Sequence, residues 1–319
     1  MSKGLDRRSF LKKSVATYTG AALGFGFEES ALLAMAAKKP TAPVPEGSGK
    51  GLPMGQIGDV KISRLLCGGN LISGYAHSRD LIYVSTLLRH YFTDEKVMET
   101  LALSEENGIN TAMLRLDSNT LRILNKYWHE MGGNIQWIAQ VKPRLRDLTS
   151  DTLKAIENGA IGVYIQGGVG DAFTARGHVD LLGKALECIK ENGVIAGIGA
   201  HSLDVPMACE KAGMEPDFYM KTLNSKSYWS AGPKEQHDSV WAETPEQTIE
   251  FMKTLNKPWI AFKVLGAGAI HPREGFKYAF ENGADFICAG MFDFQVGEDA
   301  TIARDALSGI ADRERPWKG

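Results

Sequence analysis

Three things are scarce in this chain, and each scarcity removes a class of function. Cysteine is one: four residues, Cys67, Cys188, Cys209 and Cys288, stand without CxxC spacing in 319 residues. In a domain of this size that reads as buried thiols rather than as a disulfide framework. Charge of one sign is another. The 36 basic and 38 acidic residues leave a formal net charge of -2, with no electrostatic footprint for nucleic acid and no like-charge run to act as an interaction tail. Long apolar runs are the third: none reaches the roughly 20 residues that span a bilayer, so a soluble mature domain is expected. The histidines add to this. His77, His90, His129, His178, His237 and His271 show no HxxxH or HxH spacing, so nothing in the sequence argues for a metal site.

What is present begins at the N-terminus. DRRSFLKK, residues 6 to 13, places two arginines before Ser-Phe-Leu-Lys, and a modestly apolar, glycine-containing segment follows. The pattern resembles a twin-arginine export signal, and AMA at 34 to 36 offers a cleavage site. Residues 1–37 are therefore read as a signal segment, 38–52 as a Pro/Gly-rich linker, and 53–319 as the folded domain. The resemblance implies a periplasmic or otherwise secreted protein that meets the twin-arginine export machinery already folded. Any nicotinamide cofactor would have to be acquired inside the cell.

Along the domain one joint recurs. SEENGIN, IENGAIGVYI, KENGVIAGIG and FENGADFICAG each carry a helical pattern into Asn-Gly, with an apolar run directly after. Asn-Gly suits a left-handed helix stop, so each is a helix-to-strand joint. KAGMEPDFYM and TLNKPWIAF supply two more with different chemistry. Helix starts agree: Thr244, Pro245 and Gln247 spell a capping box with proline at the first helical position, Pro272 repeats the proline, and Ser150 or Asp151 can cap another helix. Strand-like runs near 63–67, 109–114, 135–141, 161–165, 195–199, 217–222, 258–264 and 285–290 alternate with the helices. Eight β/α units predict an α/β fold, a (β/α)8 TIM barrel, with a doubly wound open sheet as the alternative.

Two connections are long, residues 70–92 after the first barrel strand and 225–243 after the sixth. In a barrel both lie over the C-terminal face, where ligands bind. Their aromatics, Tyr75, Tyr83, Tyr91, Phe92, Tyr228, Trp229 and Trp241, either cover a ligand or pack on the rim.

The residues also resemble a known family. GQIGDVKISRLLCGGN resembles the entry hairpin and first strand of aldo-keto reductases, GINTAML their second strand and GVIAGIGAHS their fifth. PDFYMKTLN resembles the sixth, IAFKVLGAG the seventh with its glycine-rich turn, and FICAGMFDFQVGEDATIARDAL the eighth with the segment that grips the cofactor. The resemblance runs in order from about Gly55 to Leu307. It implies an oxidoreductase using NAD(P) on a small carbonyl or sugar-type substrate.

The chain departs from the family's Asp, Tyr, Lys and His tetrad. The Asp falls on Met113, the Tyr near Ser118 and the His on Gln166, while the Lys has a candidate in Lys142, one residue beyond the aligned Val141. A one-residue slip turns a side chain to the other face of a strand. The resemblance implies cofactor contacts at Ser202, beside His201, at Asn224, at Gly266 and Gly268 of the glycine-rich turn, and at Gly290, Gln295 and Glu298. Met220 and Leu223 stand where the family has a Gln and its stacking Tyr, and no Lys or Arg between Gly290 and Glu298 awaits a ribose 2'-phosphate.

Strand ends instead supply Asn70, Arg115, Lys142, Arg144, Gln166, His201, Lys221, Asn224 and Lys263. Convergence of three of the cations would make the mouth positive and select an anionic ligand; solvation or pairing with nearby aspartates is the other reading. Asn70, Arg115, Gln166 and Lys221 are the substrate-binding candidates, and Lys263, His201 and Lys142 the catalytic ones. Alternation puts Lys263 on the same face as Trp259 and Ala261, opposite Ile260, Phe262 and Val264. An ammonium there must pair, reach water or lose its proton. Lys263 either snorkels, grips a phosphate or carboxylate, or acts as a base or Schiff-base nucleophile. His201 is either a general acid/base or a structural histidine. Three functions follow: the exported oxidoreductase with an altered proton donor, a non-redox lyase or isomerase using Lys263 and His201 on an anionic substrate, and a non-catalytic binding barrel.

Overall fold

The computed structural model describes residues 51–78, 81–227, 244–310 and 313–319, all within the compact unit Glu46–Gly319. The expected signal segment, nearly all of the expected linker, and Tyr228, Trp229 and Trp241 lie outside the described residues.

An antiparallel hairpin comes first, β1 (Met54–Ile57) and β2 (Val60–Ser63), turning at Gly58 with φ 55°. Eight strands follow: β3 (Leu65–Gly68), β4 (Thr111–Arg115), β5 (Gln136–Val141), β6 (Gly162–Ile165), β7 (Ile195–Ala200), β8 (Phe218–Thr222), β9 (Trp259–Phe262) and β10 (Phe286–Ala289). Each pairs in parallel with the next, and β10 closes on β3 through Ile287 and Leu65. The expected (β/α)8 barrel is thus the observed fold, and closure excludes the open sheet.

Among the described residues the helices are α1 (Gly69–Ile72), α2 (Val84–Tyr91), α3 (Asp94–Glu106), α4 (Ser118–His129), α5 (Ser150–Glu157), α6 (Gly167–Ala175), α7 (Val179–Glu191), α8 (Asp204–Lys211), α9 (Pro245–Thr254), α10 (Pro272–Glu281) and α11 (Asp293–Ser308). The packing reason is visible in α7, which buries Leu182, Ala185, Leu186 and Ile189, spaced to share one face. Alternate strand residues divide between two cores. Trp137, Tyr219, Trp259 and Ile287 pack in the outer layer that holds the helices' apolar faces, while Leu66, Met113, Ile138, Tyr164, Met220 and Ile260 fill the lumen. Ile57 and Ile62 of the hairpin join the lumen cluster beside Ile195, Phe218 and Phe286 at the strands' N-terminal ends, so the hairpin closes the barrel floor.

The Asn-Gly joints have a common construction. Asn107, Asn158, Asn192 and Asn282 are the C-caps of α3, α5, α7 and α10, and each donates its side-chain amide at 2.8 Å to the carbonyl four residues back. The following glycines, Gly108, Gly159, Gly193 and Gly283, have φ of 85°, 90°, 73° and 99°, where a Cβ would be strained. Each chain reversal therefore stops at a fixed residue, and the next strand starts in register.

Two expected helix starts are built differently. Thr244 is the N-cap of α9 with Pro245 inside the first turn, but its side chain makes no capping bond; the capping box does not form, because Thr244 at φ -130° and ψ 65° lacks the extended cap geometry. The N-cap of α5 is Thr149 rather than Ser150 or Asp151, and Asp147 Oδ1 accepts the Ser150 N–H at 3.0 Å. Pro272 does begin α10, with His271 Nδ1 accepting from the Arg273 N–H.

At the floor, buried Asp285 pairs with Arg313 at 3.3 Å and with Arg315 at 2.6 Å. Arg315 also donates to the carbonyls of Met252, Gly283 and Lys257. Such a charge is tolerable in a core only when paired and fully hydrogen-bonded. All four cysteines are free thiols, and no helix among the described residues is long and apolar enough to cross a membrane.

Candidate active site

A cavity of about 630 Å³ opens at the C-terminal ends of the barrel strands. Its floor is the top of the lumen core, Met113, Tyr164, Met220 and Cys288. Its walls carry Asn70, Arg115, Gln140, Lys142, Gln166, His201 and Lys263, with His77 and Tyr75 from the chain after β3. Among the described residues no aspartate or glutamate lines it. Arg115, Lys142 and Lys263 are the lysine and arginine side chains on this described lining, Arg115 being paired beside it with Asp117 at 3.0 Å.

Lys263 reaches the cavity by a backbone inversion. It follows the last residue of β9 with φ 59°, a left-handed conformation uncommon for a residue with a Cβ. Strand alternation assumes extended backbone, so the expected facing is overturned: Lys263 lines the cavity, and Val264, which also touches it, packs in the outer core. The turn is pinned from beneath. Buried Asn224 donates its amide to the Lys263 carbonyl at 3.2 Å, and the Gly266 N–H donates to the same oxygen at 3.1 Å. At the other end, Lys263 Nζ sits 3.2 Å from His77 Nε2, joining the wall after β9 to the chain after β3.

His201 follows β7 and is held by Asp171 of α6. Its Nδ1 lies 2.7 Å from Asp171 Oδ2, while Asp171 Oδ1 accepts the backbone N–H groups of His201 at 3.0 Å and Ser202 at 2.9 Å. A carboxylate on Nδ1 selects the tautomer that leaves Nε2 as the other, basic nitrogen. Glycine makes the approach possible: a Cβ on Gly167 would stand 3.0 Å from the His201 ring, and one on Gly170 would stand 2.4 Å from the Gly199 carbonyl oxygen. The first turn of α6 therefore lies flat against β7. Behind the pair, Thr222 Oγ1 donates to the His201 carbonyl at 3.0 Å, and Lys221 Nζ donates to Thr222 Oγ1 at 2.9 Å. Lys221 is 2% exposed, and burial pushes its ammonium down to about 7 against the opposing pull of Asp171.

The remaining rim groups are oriented by aromatic and amide partners. The Arg115 guanidinium lies 3.9 Å from the Tyr75 ring centroid, and its Nε is 3.0 Å from Asp117. On the floor, Gln140 donates to the Tyr164 hydroxyl at 2.6 Å, while burial in the lumen raises that phenol well above its usual range. Tyr91 and Phe92 do not cover the cavity; they pack edge-on, with Phe292 stacked on Phe92, at the rim.

The structure brings Lys263, His201, Lys142, Asn70, Arg115 and Gln166 to one cavity, with Gly268, Gly290 and Gln295 on the same wall. It does not bring Lys221, Ser202, Asn224, Gly266 or Glu298 to that surface. Arg144 lines a smaller adjoining cavity instead. Asp171, His77 and Gln140 are residues that sequence reasoning missed. His77 sits in an irregular connection with no periodicity to place it. For Asp171 the signal was QGGVGD, a glycine-rich helix start immediately after a strand.

The positions matching the family's nicotinamide contacts are already engaged within the protein. Ser202 Oγ donates to Asp204, Asn224 serves the Lys263 turn, and the Gln295 side chain accepts from the Phe292 N–H. Leu223, at the stacking position, is buried. Of the positions that the resemblance gives to the cofactor, Gly268, Gly290 and Gln295 stand on the cavity lining. Among the described residues no cluster of His, Cys, Asp and Glu is placed to hold a metal ion.

No family model and no curated protein matches the chain. Solved structures do. A Pseudomonas aeruginosa protein assigned to the aldo-keto reductases superposes with a TM-score of 0.56 at 16% identity, covering 82% of this chain and 99% of that one. The holo form of an aldo-keto reductase from Bacillus halodurans gives 0.51 at 14% identity over 84% of this chain and 100% of that one. A truncated 3-deoxy-D-arabino-heptulosonate 7-phosphate synthase from Thermotoga maritima gives 0.52 at 11% identity, over 82% and 95%. The chain therefore has the (β/α)8 barrel fold seen in aldo-keto reductases, at 14–16% identity to the two reductase structures. Redox and non-redox enzymes both use that barrel, so the chemistry has to be argued from the site.

Proposed function

We propose that the chain is an enzyme of proton-transfer chemistry, a lyase or isomerase, acting on a small anionic substrate at the barrel mouth. The observation that carries this reading is the 630 Å³ cavity lined by Arg115, Lys142 and Lys263 and, among the described residues, by no carboxylate. His201, with Nδ1 held by Asp171, supplies the base that takes a proton from the bound substrate and the acid that returns it. The cations hold the substrate's anionic group, and Gln140, Gln166 and Asn70 offer neutral hydrogen bonds to hydroxyl or carbonyl oxygens.

The test has two parts. Small phosphates and carboxylates should raise the melting temperature in a salt-sensitive way while neutral sugars of the same size do not. An anion so found should exchange a carbon-bound hydrogen in heavy water, and His201→Asn should abolish that exchange. Equal shifts from neutral sugars, or exchange that survives His201→Asn, would sink the reading.

A second reading is a nicotinamide-dependent oxidoreductase on a small carbonyl or sugar-type substrate. The wall formed by Gly268, Gly290 and Gln295 favours it, as does the fold shared with aldo-keto reductases. Saturable quenching of tryptophan fluorescence by NADH or NADPH would rank it above the first. We further propose export by the twin-arginine route, on the strength of DRRSFLKK. Replacing Arg7 and Arg8 by lysine should hold the protein in the cytoplasmic fraction, and unchanged export would refute the route.

A further inference from the structure

Three rim groups occupy equivalent places one residue beyond a strand: Lys142 after β5, His201 after β7 and Lys263 after β9. In the closed order β3-β4-β5-β6-β7-β8-β9-β10, strands β5 and β9 are four places apart, the greatest separation that an eight-strand ring allows. The strand β7 is two places from each. The Lys142 and Lys263 backbones thus stand across the mouth from one another, with His201 on the rim two strands from each.

The two cationic sides are built differently. On the β4 and β5 side a second cavity of about 380 Å³ adjoins the first and shares Arg115, Gln140 and Lys142 with it. It adds Arg144, so three cations line it against one carboxylate, Asp151. Arg115 is steadied there by Tyr75 and Asp117. Among the described residues the cavity lining on the β9 side carries one ammonium, Lys263, paired with the His77 imidazole and carried on a pinned left-handed turn.

We infer that the site takes a substrate with an anionic group at each end: a phosphate in the annex of Arg115, Lys142 and Arg144, and a carboxylate at Lys263 and His77, with the reacting carbons beside His201. A phosphorylated sugar acid has this chemistry. Three donors in a recess suit the higher charge and three exposed oxygens of a phosphate, whereas a single ammonium beside an imidazole suits a carboxylate. The inference rests on the anionic-substrate reading of the same cavity and adds that there are two anion subsites rather than one.

Isothermal titration of the purified protein with 6-phosphogluconate, glucose 6-phosphate, gluconate and glucose tests it. The expected result is that 6-phosphogluconate binds at least tenfold more tightly than glucose 6-phosphate or gluconate, each of which carries one anionic group. Arg144→Ala should bring its affinity down to that of gluconate, and Lys263→Gly down to that of glucose 6-phosphate. Arg144 is exposed, and glycine at 263 suits the local φ, so both variants should melt normally. Affinities for the three anions within threefold of one another, or loss in neither variant, would overturn the two-subsite inference while leaving the anionic-substrate reading intact. Glucose binding as tightly as the anions would overturn both.

Discussion

Asp171 holds His201 from two directions, accepting from its ring Nδ1 at 2.7 Å and from its backbone N–H at 3.0 Å. One carboxylate thereby fixes the imidazole's tautomer, its rotation and the path of the chain after β7. An asparagine in its place keeps the shape but brings an amide donor against Nδ1. We expect Asp171→Asn to lower kcat by about 100-fold, the low end for loss of general acid–base catalysis, with KM little changed. The His201 ring resonances in NMR should move to the opposite tautomer. Unchanged resonances with a normal kcat would remove Asp171 from the chemistry.

Lys221 makes stability depend on pH in the direction opposite to that of a surface lysine. Its folded-state value is pushed down to about 7 from the ordinary 10.5, so between those values the unfolded chain binds the proton more readily. Stability therefore falls as pH drops from about 10.5 toward 7 and levels off below, at about 1.4 kcal/mol for each unit of separation. Lys221→Met should be more stable than the parent at pH 6, with the advantage shrinking toward pH 10. Urea unfolding at pH 6, 8 and 10 checks this, and a gap that widens with pH would contradict it.

Lys263 spends conformational energy to reach the cavity. A left-handed non-glycine residue costs about 1–2 kcal/mol, which glycine avoids and alanine does not. Lys263→Gly should therefore be about 1 kcal/mol more stable than Lys263→Ala once glycine's extra unfolded-state entropy is counted, while both lose anion affinity equally. Paired denaturant curves measure the difference.

Asp299 in α11 is buried, and desolvation, with Glu298 beside it, raises its carboxyl to about 7. Here the folded state holds the proton more tightly, so stability is full below about pH 4 and declines as pH rises toward 7. Asp299→Asn should match the parent at pH 4 and melt higher at pH 8. Equal melting temperatures at pH 8 would show that the carboxyl ionises there without cost.

The barrel was legible because its joints are written in local chemistry. Asn-Gly at 107–108, 158–159, 192–193 and 282–283 stops a helix for reasons confined to a few residues. The strands between them obey the period-two rule wherever the backbone is extended. The site was legible only as far as that rule holds. Lys263 sits where extension ends, so alternation assigned it the wrong face. Lys221 obeys alternation and is for that reason buried beneath the helix layer rather than lining the cavity. Asp171 acts from a helix onto the end of a neighbouring strand, a relation that exists only after α6 docks on β7. The cap at Thr244 failed because side-chain capping depends on a backbone angle that residue type does not fix.

The four Asn-Gly joints have a bearing on chemical ageing. Asparagine before glycine is prone to deamidate, because the glycine nitrogen can attack the side-chain amide carbon and close a succinimide ring. In each joint the glycine nitrogen already donates to a helix carbonyl, from Gly108 to Glu105 at 3.0 Å, Gly159 to Ile156 at 3.0 Å, Gly193 to Lys190 at 2.9 Å and Gly283 to Phe280 at 3.2 Å. The asparagine amide is tethered one turn back. The motif that stops each helix also keeps its own weakest bond out of reaction, so isoaspartate should accumulate at these four sites only as fast as the helix ends unravel.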